Sequence, residues 1–447
     1  MSKSRSFYLI SLGCPKNLVD SEGIATLLRR AGYRSASDPS EADVLIVNTC
    51  GFIEPAREES RAVLEELVQN RRLGQRVVAA GCYSQRCPDE LSAAVSGIDG
   101  FIGTRRWMDV PDLLRQLEGR EQRVGRSRPF MHLPEVPTVG QDTHGVLRAA
   151  VQGASAYLKL GDGCSRSCAF CAIPLIKGPS VSRRPEAILV DAEQLAHLGV
   201  QEIILIAQDT TSYGRDLGMQ DGLAQLLDQL VAVAPPVPWI RLMYAYPTRI
   251  SQRLIATMAR HPQVLPYLDL PVQHAHPDVL RRMQRPANVD RTRHAVERLR
   301  ARMPEMAIRT TFLVGYPGET ESEFQALLDF VEDVRFDHVG VFTYSREEGT
   351  AAAKLTDDIP HKIKEERRER LMEVHQGISL ARNQAVIGES LDVLVEGQDE
   401  GLSVGRSYRD APEVDGLVLV QDELPVGEIV PVRITAGLEY DLIGESP

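Results

Sequence analysis

The chain has 447 residues, of which 43% are hydrophobic and 25% are charged, and its formal net charge is −11 at pH 7. This composition is ordinary for globular protein, and the length allows two to four domains, each with its own core. No apolar run approaches the roughly 20 residues of a membrane-spanning helix, so we expect a cytoplasmic protein without a membrane segment. Stable disulfides are rare in a reducing cytosol, and the seven cysteines are therefore expected to be metal or redox ligands.

The first region, residues 5–117, alternates apolar runs with amphipathic helical patterns. FYLISLG, DVLIVNT and RVVAAG are predicted strands, and each precedes a helical pattern such as LVDSEGIATLLRRAG. This alternation predicts a parallel α/β sheet. We interpret FYLISLG as the first strand and not as an export signal, because the run is short and leads directly into a helical pattern. Residues 118–149 are polar, contain many Pro and Gly residues, and are predicted to be a linker.

The second region, residues 150–378, repeats strand and helix at a longer spacing. Its six predicted strands are AYLKL, EIILIAQ, WIRLMYAY, YLDLPVQ, AIRTTFLVG and HVGVFTY. Six such units predict a complete or partial parallel barrel with its chemistry at the carboxyl ends of the strands. The third region, residues 379–445, has short strands such as SLDVLVEG and IVPVRIT and almost no helical pattern. It is predicted to be a small β-barrel.

The negative charge is concentrated in the third region. From Gly388 to Pro447 there are fourteen acidic and three basic residues, a net charge of −11 that equals the charge of the whole chain. A small β-barrel is often a nucleic-acid platform, but an acidic one repels phosphate and attracts a basic partner. The alternative is that this acidic surface serves only solubility.

Three cysteines lie within eight residues of the stretch GDGCSRSCAFCAIP, in the loop that follows the predicted strand AYLKL. They are Cys164, Cys168 and Cys171. The spacing CxxxCxxC differs from ferredoxin runs and from the paired CxxC motifs of zinc ribbons. Three thiolates can hold three irons of a [4Fe–4S] cluster and leave the fourth iron open, as catalytic zinc keeps an open position. A structural zinc site completed by a distant histidine is the alternative.

This motif, with Phe170 just before the last cysteine, resembles that of the radical S-adenosylmethionine (SAM) superfamily. The resemblance implies that the amino and carboxylate groups of SAM bind the open iron, and that one electron cleaves SAM to a 5′-deoxyadenosyl radical. Further SAM contacts are expected from polar residues and glycines that follow predicted strands. The candidates are Gln208, Asp209, Gln273, His274, Gly315 and Gly318. These residues could equally be ordinary loop residues.

Three further cysteines each follow a predicted strand of the first region. Cys14, Cys50 and Cys82 lie 36 and 32 residues apart, which is one strand–helix period each. Because the carboxyl ends of neighbouring parallel strands meet at one crevice, we expect the three thiols to form a second site. A single cysteine at a strand end is usually a small buried hydrophobe, but three equivalent positions are difficult to attribute to packing. Cys87 falls outside the period and is predicted not to be a ligand.

The order of a three-cysteine domain, a radical SAM barrel and a small β-barrel resembles the methylthiotransferases over nearly the whole chain, with a third domain similar to a TRAM module. These enzymes insert sulfur into an unactivated C–H bond and methylate it, and SAM supplies both the methyl group and the radical. The resemblance implies two [4Fe–4S] clusters, of which the one on the first-region cysteines holds the sulfur to be transferred. No single general base is expected, because the radical abstracts the hydrogen. Tyr246 and Arg309, near strand ends, are further candidates to shape the pocket.

Several motifs resemble the methylthiotransferase branch that modifies the β-carbon of an aspartate in small-subunit ribosomal protein S-twelve. They are SLGCPKNLVDSE, NTCGFIEPAREES, AYP at 245–247, VGVFTYSREEGT and GRSYRDAPEVDG. The acidic third region agrees, because ribosomal proteins are strongly basic. We therefore expect a basic protein substrate and an electron donor as partners, with no required RNA contact. The alternatives are the branch that modifies an adenosine of transfer RNA and, from another class, an iron–sulfur carrier or RNA-binding scaffold without turnover.

Overall fold

The computed structural model describes residues 5–118, 128–137 and 145–446. The described chain forms two compact units. The first contains the described residues up to Ala150 together with Tyr157–Arg166 and Cys171–Asp191, and the second contains the other described residues. Among the described helices, none combines the length and the apolar character that crossing a membrane requires.

A six-stranded parallel sheet forms the centre of the first unit. Its strands are β1 (Ser6–Ser11), β2 (Arg34–Ser35), β3 (Val44–Thr49), β4 (Arg76–Ala80), β5 (Gly100–Gly103) and β6 (Phe130–His132). Their order in the sheet is β2-β1-β3-β4-β5-β6, with every pairing parallel. The helices of this region are α1 (Pro15–Arg30), α2 (Glu54–Asn70), α3 (Gly81–Arg86), α4 (Pro88–Ala94) and α5 (Val110–Glu118).

The sheet is apolar on both faces because helices cover both of them. Ile46 of β3 packs in one buried cluster with Leu28 of α1. Its neighbour Val47 points to the other face and packs in a second cluster with Leu64 of α2. This alternation confirms the predicted parallel α/β architecture of the first region.

The segment predicted as a linker, residues 118–149, contributes a strand to this sheet. Within it, β6 pairs in parallel with β5, and residues 119–127 and 138–144 lie outside the described residues. Strands β2, β5 and β6 have only two, four and three residues, which is too short for an apolar periodicity to be recognised. The domain boundaries stay sequence-based predictions.

The next part of the chain builds a seven-stranded sheet. Its first elements are β7 (Ala149–Gln152), β8 (Ser155–Lys159), the short strand β9 (Gly161–Asp162), α6 (Ile173–Lys177), the short strand β10 (Val181–Ser182) and α7 (Pro185–His197). The later elements are β11 (Glu202–Ile206), α8 (Gly222–Val233), β12 (Trp239–Leu242), α9 (Gln252–Arg260), β13 (Val264–Asp269), α10 (Pro277–Arg282), α11 (Val289–Arg302), β14 (Ala307–Val314), α12 (Glu321–Val334) and β15 (His338–Thr343).

The order of this sheet is β15-β14-β13-β12-β11-β8-β7, and β11 to β15 pair in parallel. Within the described residues the two edge strands, β15 and β7, do not pair, so the predicted parallel βα repeat is confirmed in its partial form. Strands β9 and β10 form a separate antiparallel pair.

The third region is a closed five-stranded barrel that follows the long helix α13 (His361–Gln384). Its strands are β16 (Ser390–Asp399), β17 (Leu402–Ser407), β18 (Val418–Val420), β19 (Ile429–Gly437) and β20 (Leu442–Glu445). Alternate strand residues such as Leu391 and Val393 fill its interior. The barrel confirms the predicted fold class, and the predicted boundary at residue 379 falls inside α13.

Within the second unit, the end of β17 and the loop that follows it pack against the seven-stranded sheet through buried ion pairs and hydrogen bonds. Glu202, at the start of β11, accepts from Arg241 Nε at 2.6 Å and from Arg406 Nη2 at 2.7 Å. Arg241 in turn donates to the backbone oxygen of Tyr408 at 2.7 Å. All three charged side chains are at most 1% exposed. The barrel is therefore attached by paired charges and not by apolar contact alone.

Asp415, at the other end of the same loop, is equally buried. It accepts from Tyr267 Oη at 2.6 Å and from Arg309 Nε at 3.2 Å. Arg309 also donates to Asp269 at 3.2 Å. Arg309, a candidate for shaping the pocket, is thus an internal ion-pair partner of the barrel loop.

Candidate active site

Three adjacent strands of the first sheet bring Cys14, Cys50 and Cys82 to one edge. Cys14 is the N-cap of α1, Cys50 directly follows β3, and Cys82 lies in the first turn of α3 directly after β4. Because β1, β3 and β4 are parallel neighbours, their carboxyl ends lie side by side. The charges of Cys14 and Cys50 both act on Cys82. The structure therefore places together the three cysteines that were predicted to share a site.

A glycine beside each cysteine allows the three turns to approach one another. A Cβ at Gly13 would lie 2.9 Å from Cys50 Sγ, and one at Gly51 would lie 2.6 Å from the backbone nitrogen of Tyr83. Gly81 has a φ of 95°, and a Cβ there would clash with β3. Any side chain at these positions would push the cysteines apart. The sequence carries this signal, but the prediction did not use it.

The side chain of Asn17 in α1 links the same three turns by hydrogen bonds. Its Nδ2 donates to the backbone oxygen of Leu12 at 2.8 Å and to that of Thr49 at 3.2 Å. Its Oδ1 accepts from Cys82 Sγ at 3.8 Å. Asn17 is 2% exposed, so the amide is a buried cross-link between the segments that carry the cysteines. Sequence reasoning did not single it out.

The thiols of this site can bind iron when they lose their protons. Burial raises the pKa of Cys50, and it raises the pKa of Cys82 to about 12, although the charge of Lys177 acts in the opposite direction. Thiolates and not thiols bind metal, so ligation must release these protons. The seven cysteines are free of disulfides. Three thiol ligands at the ends of adjacent strands suit a [4Fe–4S] cluster with one open iron.

The second cysteine motif lies between β9 and α6. In the first unit, Cys164 N donates to the backbone oxygen of Gly178 at 3.0 Å, which closes the base of the loop. A Cβ at Gly163 would lie 2.0 Å from the backbone oxygen of Pro179. Gly163, with a φ of 75°, is therefore required beside Cys164. Cys171 ends the motif two residues before α6 begins.

The middle of this motif, Ser167–Phe170, belongs to the second unit and is held there by backbone and side-chain contacts. Ala169 N donates to the backbone oxygen of Met283 at 2.9 Å, and Ala169 O accepts from Ala352 N at 2.7 Å. Phe170 packs against the apolar cluster that contains Met283. The aromatic residue before the last cysteine therefore anchors the loop.

Arg285 contacts Cys168 and was not predicted. Its Nη1 donates to Cys168 Sγ at 3.7 Å, and its Nη2 donates to the backbone oxygen of Pro271 at 2.6 Å. The guanidinium lies 4.6 Å from the ring centroid of Tyr246. A hydrogen bond and a positive charge at a ligand sulfur tune the potential of a bound cluster. Cys168 and Arg285 are 117 residues apart, so no local sequence pattern joins them.

Two of the predicted SAM contacts present buried polar atoms that form no hydrogen bond within the described residues. These atoms are Gln208 Oε1 and His274 Nε2. His274 Nδ1 accepts from His276 N at 3.0 Å, and burial lowers the pKa of His274 to about 3. The ring is therefore neutral, with its hydrogen on Nε2. Buried polar groups are normally satisfied, so this acceptor and this donor fit the polar groups of a bound SAM.

The other four SAM candidates occupy the same strand ends but have structural partners. Asp209 accepts from Thr211 Oγ1 at 2.6 Å. Gln273 has a φ of 78° and uses its backbone groups to bridge to β14. Gly315 and Gly318 have φ values of 67° and 73°, which the GYPG turn requires. Gln273, Gly315 and Gly318 can therefore contact a ligand through backbone groups that are held in a fixed conformation.

Glu319 stabilises the GYPG turn and was also not predicted. Its Oε2 accepts from Tyr316 N at 3.2 Å, and its Oε1 accepts from Arg367 of α13 at 3.0 Å. His274 Nε2 lies 3.7 Å from Glu319 Oε2. Burial raises the pKa of Glu319 to about 7, against the opposing charge of Arg367. The turn is thus fixed to α13, the helix that precedes the barrel.

Three protein families match successive parts of the chain. The Uncharacterized protein family UPF0004 matches residues 6–103, the Radical SAM superfamily matches residues 158–331, and the TRAM domain matches residues 387–446. Membership of the Radical SAM superfamily implies that the chain binds SAM and a [4Fe–4S] cluster.

Relatives match nearly the whole length. The ribosomal protein uS12 methylthiotransferase RimO of Roseiflexus sp. (strain RS-1) is 50% identical, over 98% of this chain and 96% of its own. The chain belongs to the RimO family. The RimO proteins of Chloroflexus aurantiacus and Microcystis aeruginosa are 49% and 44% identical, over 98% and 100% of this chain and 99% and 100% of their own. The predicted resemblance to the radical SAM methylthiotransferases is confirmed.

Solved structures with the same fold are more distant than these RimO relatives. The radical SAM methyltransferase TsrM from Kitasatospora setae has a TM-score of 0.59 and 15% identity, and covers 76% of this chain and 73% of its own. The cobalamin-dependent radical SAM enzyme OxsB has a TM-score of 0.51 and 12% identity, over 83% and 56%. These likenesses show the fold alone.

Proposed function

We propose that this RimO-family chain adds a methylthio group to the β-carbon of an aspartate in ribosomal protein uS12 by radical SAM chemistry. The observation that carries the proposal is the full-length similarity to relatives named uS12 methylthiotransferases, at 44% to 50% identity. The order of the three matched domains supports it. The enzyme also needs an electron donor, and a cytoplasmic location suits cysteines that form no disulfide.

The proposal includes two [4Fe–4S] clusters. The ligands of the SAM-binding cluster are Cys164, Cys168 and Cys171, and those of the auxiliary cluster are Cys14, Cys50 and Cys82. The glycine beside each first-region cysteine and the cross-link through Asn17 support the auxiliary site. Cys87 packs against an apolar cluster between α3 and α4, which supports its assignment as a non-ligand.

The chain's own residues would bind and orient SAM, which with its cluster supplies the hydrogen-abstracting radical. His274 Nε2 is a donor, and Gln208 Oε1 is an acceptor, both buried and available. Glu319 fixes the GYPG turn, so that its backbone groups face the ligand in a set conformation. Arg285 holds the Cys168 sulfur and stacks on Tyr246. Asp209, Gln273, Gly315 and Gly318 are proposed as further SAM contacts through their position at the strand ends.

The barrel supports a basic protein substrate over RNA. Of its fourteen acidic residues, only Asp410, Asp415 and Asp441 are not exposed. Two acidic turns, Asp399–Glu400 and Asp422–Glu423, are joined because Ser403 Oγ donates to the backbone oxygen of Asp422 at 2.7 Å. These turns lie at the end of the barrel where β17 begins, whereas the loop buried against the sheet follows the last residue of β17. The free end of the barrel is therefore strongly acidic.

The direct test offers both candidate substrates together. The protein is reconstituted anaerobically with iron and sulfide, supplied with SAM and dithionite, and given purified uS12 and an anticodon stem-loop RNA. We expect mass spectrometry to find a methylthio gain on one aspartate of uS12. A gain on the RNA would identify the transfer RNA branch instead, and the absence of 5′-deoxyadenosine would exclude radical SAM turnover.

A second test addresses the acidic turns. Replacing Asp399 and Glu400 by lysine is expected to raise the KM for uS12, with the loss growing less severe as salt screens the attraction. Glu439→Lys, an exposed acidic site away from these turns, is the matched control. Equal KM values for both variants would show that the free end does not attract the substrate.

A further inference from the structure

Five charged side chains form a buried network inside the first unit. Asp20 of α1 accepts from Lys159 Nζ at 2.5 Å and from Lys177 Nζ at 2.9 Å. Asp162 lies 3.0 Å from Lys159 Nζ and 3.1 Å from Arg148 Nη2. Every one of these side chains is at most 3% exposed. With three cations and two anions, the ionised network has a net positive charge.

The network joins the segments that carry the two cysteine motifs. Asp20 lies on α1, whose N-cap is Cys14. Asp162 is two residues before Cys164, and Lys177 is the last residue of α6, which follows the second motif. Charges from both sides of the second motif therefore converge on the helix that begins at the first motif.

Lys177 also lies close enough to Cys82 for its charge to act there. Helix α6 packs on α3, which holds Cys82 in its first turn. Arg105 Nε donates to the backbone oxygen of Ile176 at 2.9 Å and keeps the end of α6 in place. Asn17 Oδ1 contacts Cys82 Sγ at 3.8 Å, and Asp20 follows Asn17 by about one turn of α1, so the ion pair of Asp20 with Lys177 lies on the side of α1 that faces Cys82. The two members of one ion pair thus act on the same sulfur with opposite signs.

We propose that Lys177 is a positioning residue that supplies a compensating positive charge to the iron–sulfur cluster on Cys14, Cys50 and Cys82. Lys177 follows the second cysteine motif in the sequence. A residue next to that motif thereby tunes the redox potential of the cluster on the first-region cysteines. The inference rests on the proposed two-cluster function. One-electron reduction adds negative charge to the cluster, and a nearby ammonium favours it while a nearby carboxylate opposes it.

The test isolates the auxiliary cluster and titrates it. In the full-length chain, alanine replaces the three second-motif ligands, Cys164, Cys168 and Cys171. Iron and sulfide content is measured after anaerobic reconstitution, and the midpoint potential is obtained by titration with dithionite under electron paramagnetic resonance. We expect Lys177→Met to lower the ratio of reduced to oxidised cluster at least tenfold at a fixed potential, which for a one-electron couple is 59 mV. Lys177→Arg should stay close to the parent.

Asp20→Asn provides the decisive comparison, because it removes the opposite charge from the same ion pair. We expect it to raise the midpoint potential, whereas a general loss of packing would move both variants in one direction. Lys364→Met, which removes another buried lysine paired with a carboxylate (Asp357, 2.6 Å) in the second unit, is the matched control.

The outcomes separate this inference from the function on which it rests. Shifts of the same sign, or no shift, in Lys177→Met and Asp20→Asn would overturn the inference and leave the two-cluster function standing. If Lys177→Met does not retain the cluster, the sign of the Asp20→Asn shift and the value for Lys177→Arg still decide. A parent without any cluster would overturn both.

Discussion

Replacing Glu202 by glutamine is expected to weaken the attachment of the barrel to the central sheet. The Glu202 carboxylate is fully buried and accepts from Arg241 at 2.6 Å, Arg406 at 2.7 Å and Ser155 Oγ at 2.8 Å. Glutamine keeps the shape but leaves two buried guanidinium groups without their shared counter-charge. Arg241 then loses its buried counter-charge, and Arg406 keeps only the partly exposed Glu396 as a partner.

The size of the loss follows from the electrostatics of the carboxylate. Burial raises the pKa of Glu202, but the charges and hydrogen bonds of Arg241 and Arg406 outweigh burial and hold it at about 2. Compared with an ordinary value of about 4.3, at ~1.4 kcal/mol for each pH unit, the ionised form gains about 3 kcal/mol on folding. Removing one partner of a buried pair costs about 3–5 kcal/mol. This contribution is complete above the unfolded-state pKa and is lost as the pH falls from about 4 through about 2.

The assay is urea unfolding of the full chain, followed by the fluorescence of Trp239. This residue pairs with Glu202 in the register of β11 and β12, and Trp107→Phe in all variants removes the other tryptophan. Glu396→Gln is the matched control, because Glu396 pairs with the same Arg406 but is 35% exposed. It should cost less than about 1 kcal/mol. Equal losses in the two variants would refute the assignment of Glu202 as the central charge of the contact.

Three further predictions concern the cofactor sites. Cys14→Ala should retain reductive SAM cleavage but lose thiolation and the iron of the auxiliary cluster. Cys168→Ala should lose SAM cleavage as well, and release of 5′-deoxyadenosine by this variant would contradict the ligand assignment. Arg285→Met should lower the midpoint potential of the SAM-binding cluster in a variant without the first motif, because a donor to the ligand sulfur is lost, and exposed Arg281→Met should not. His274→Leu should raise the SAM Kd about tenfold by anaerobic calorimetry, since one hydrogen bond of about 1.4 kcal/mol is lost, and an unchanged Kd would exclude the contact.

Sequence reasoning predicted the first-region cysteine site because topology fixes where parallel strands end. Cys14, Cys50 and Cys82 recur with the strand–helix period, and adjacent strands in that period place them side by side. The same argument placed Gln208 and His274 after the carboxyl ends of β11 and β13, on either side of β12 in the sheet. Period and strand order are properties of the whole chain, so they can be inferred without knowing any side-chain contact.

Contacts that join distant parts of the chain could not be predicted in this way. Arg285 reaches Cys168 across 117 residues, and Arg309 reaches Asp415 across 106 residues. Neither pair has a spacing that any regular element would produce. Arg309 was a candidate to shape the pocket because it lies near a strand end, and its contact with the barrel loop from the third residue of β14 was not foreseen. Short strands such as β6 were missed for a related reason, because three residues pair only where the sheet already presents an edge.

The surface charge of the barrel depends on which of its charged residues are exposed, and a count from the sequence does not show this. The count of fourteen acidic and three basic residues did not distinguish paired from free groups. In the structure, Arg406 and Arg409 are buried, so Arg433 is the one exposed basic residue there in the described chain. Eleven acidic residues stay exposed, and the surface is more one-sidedly acidic than the count implied.

The motif GRSYRDAPEVDG, which resembles one branch of the methylthiotransferases, has a structural role in attaching the barrel. Its Asp415 and Arg406 are buried in ion pairs with the central sheet. The motif therefore determines how the barrel is attached to the seven-stranded sheet. The proposed docking of a basic protein therefore concerns the acidic turns at the other end of β17, whose position depends on that attachment.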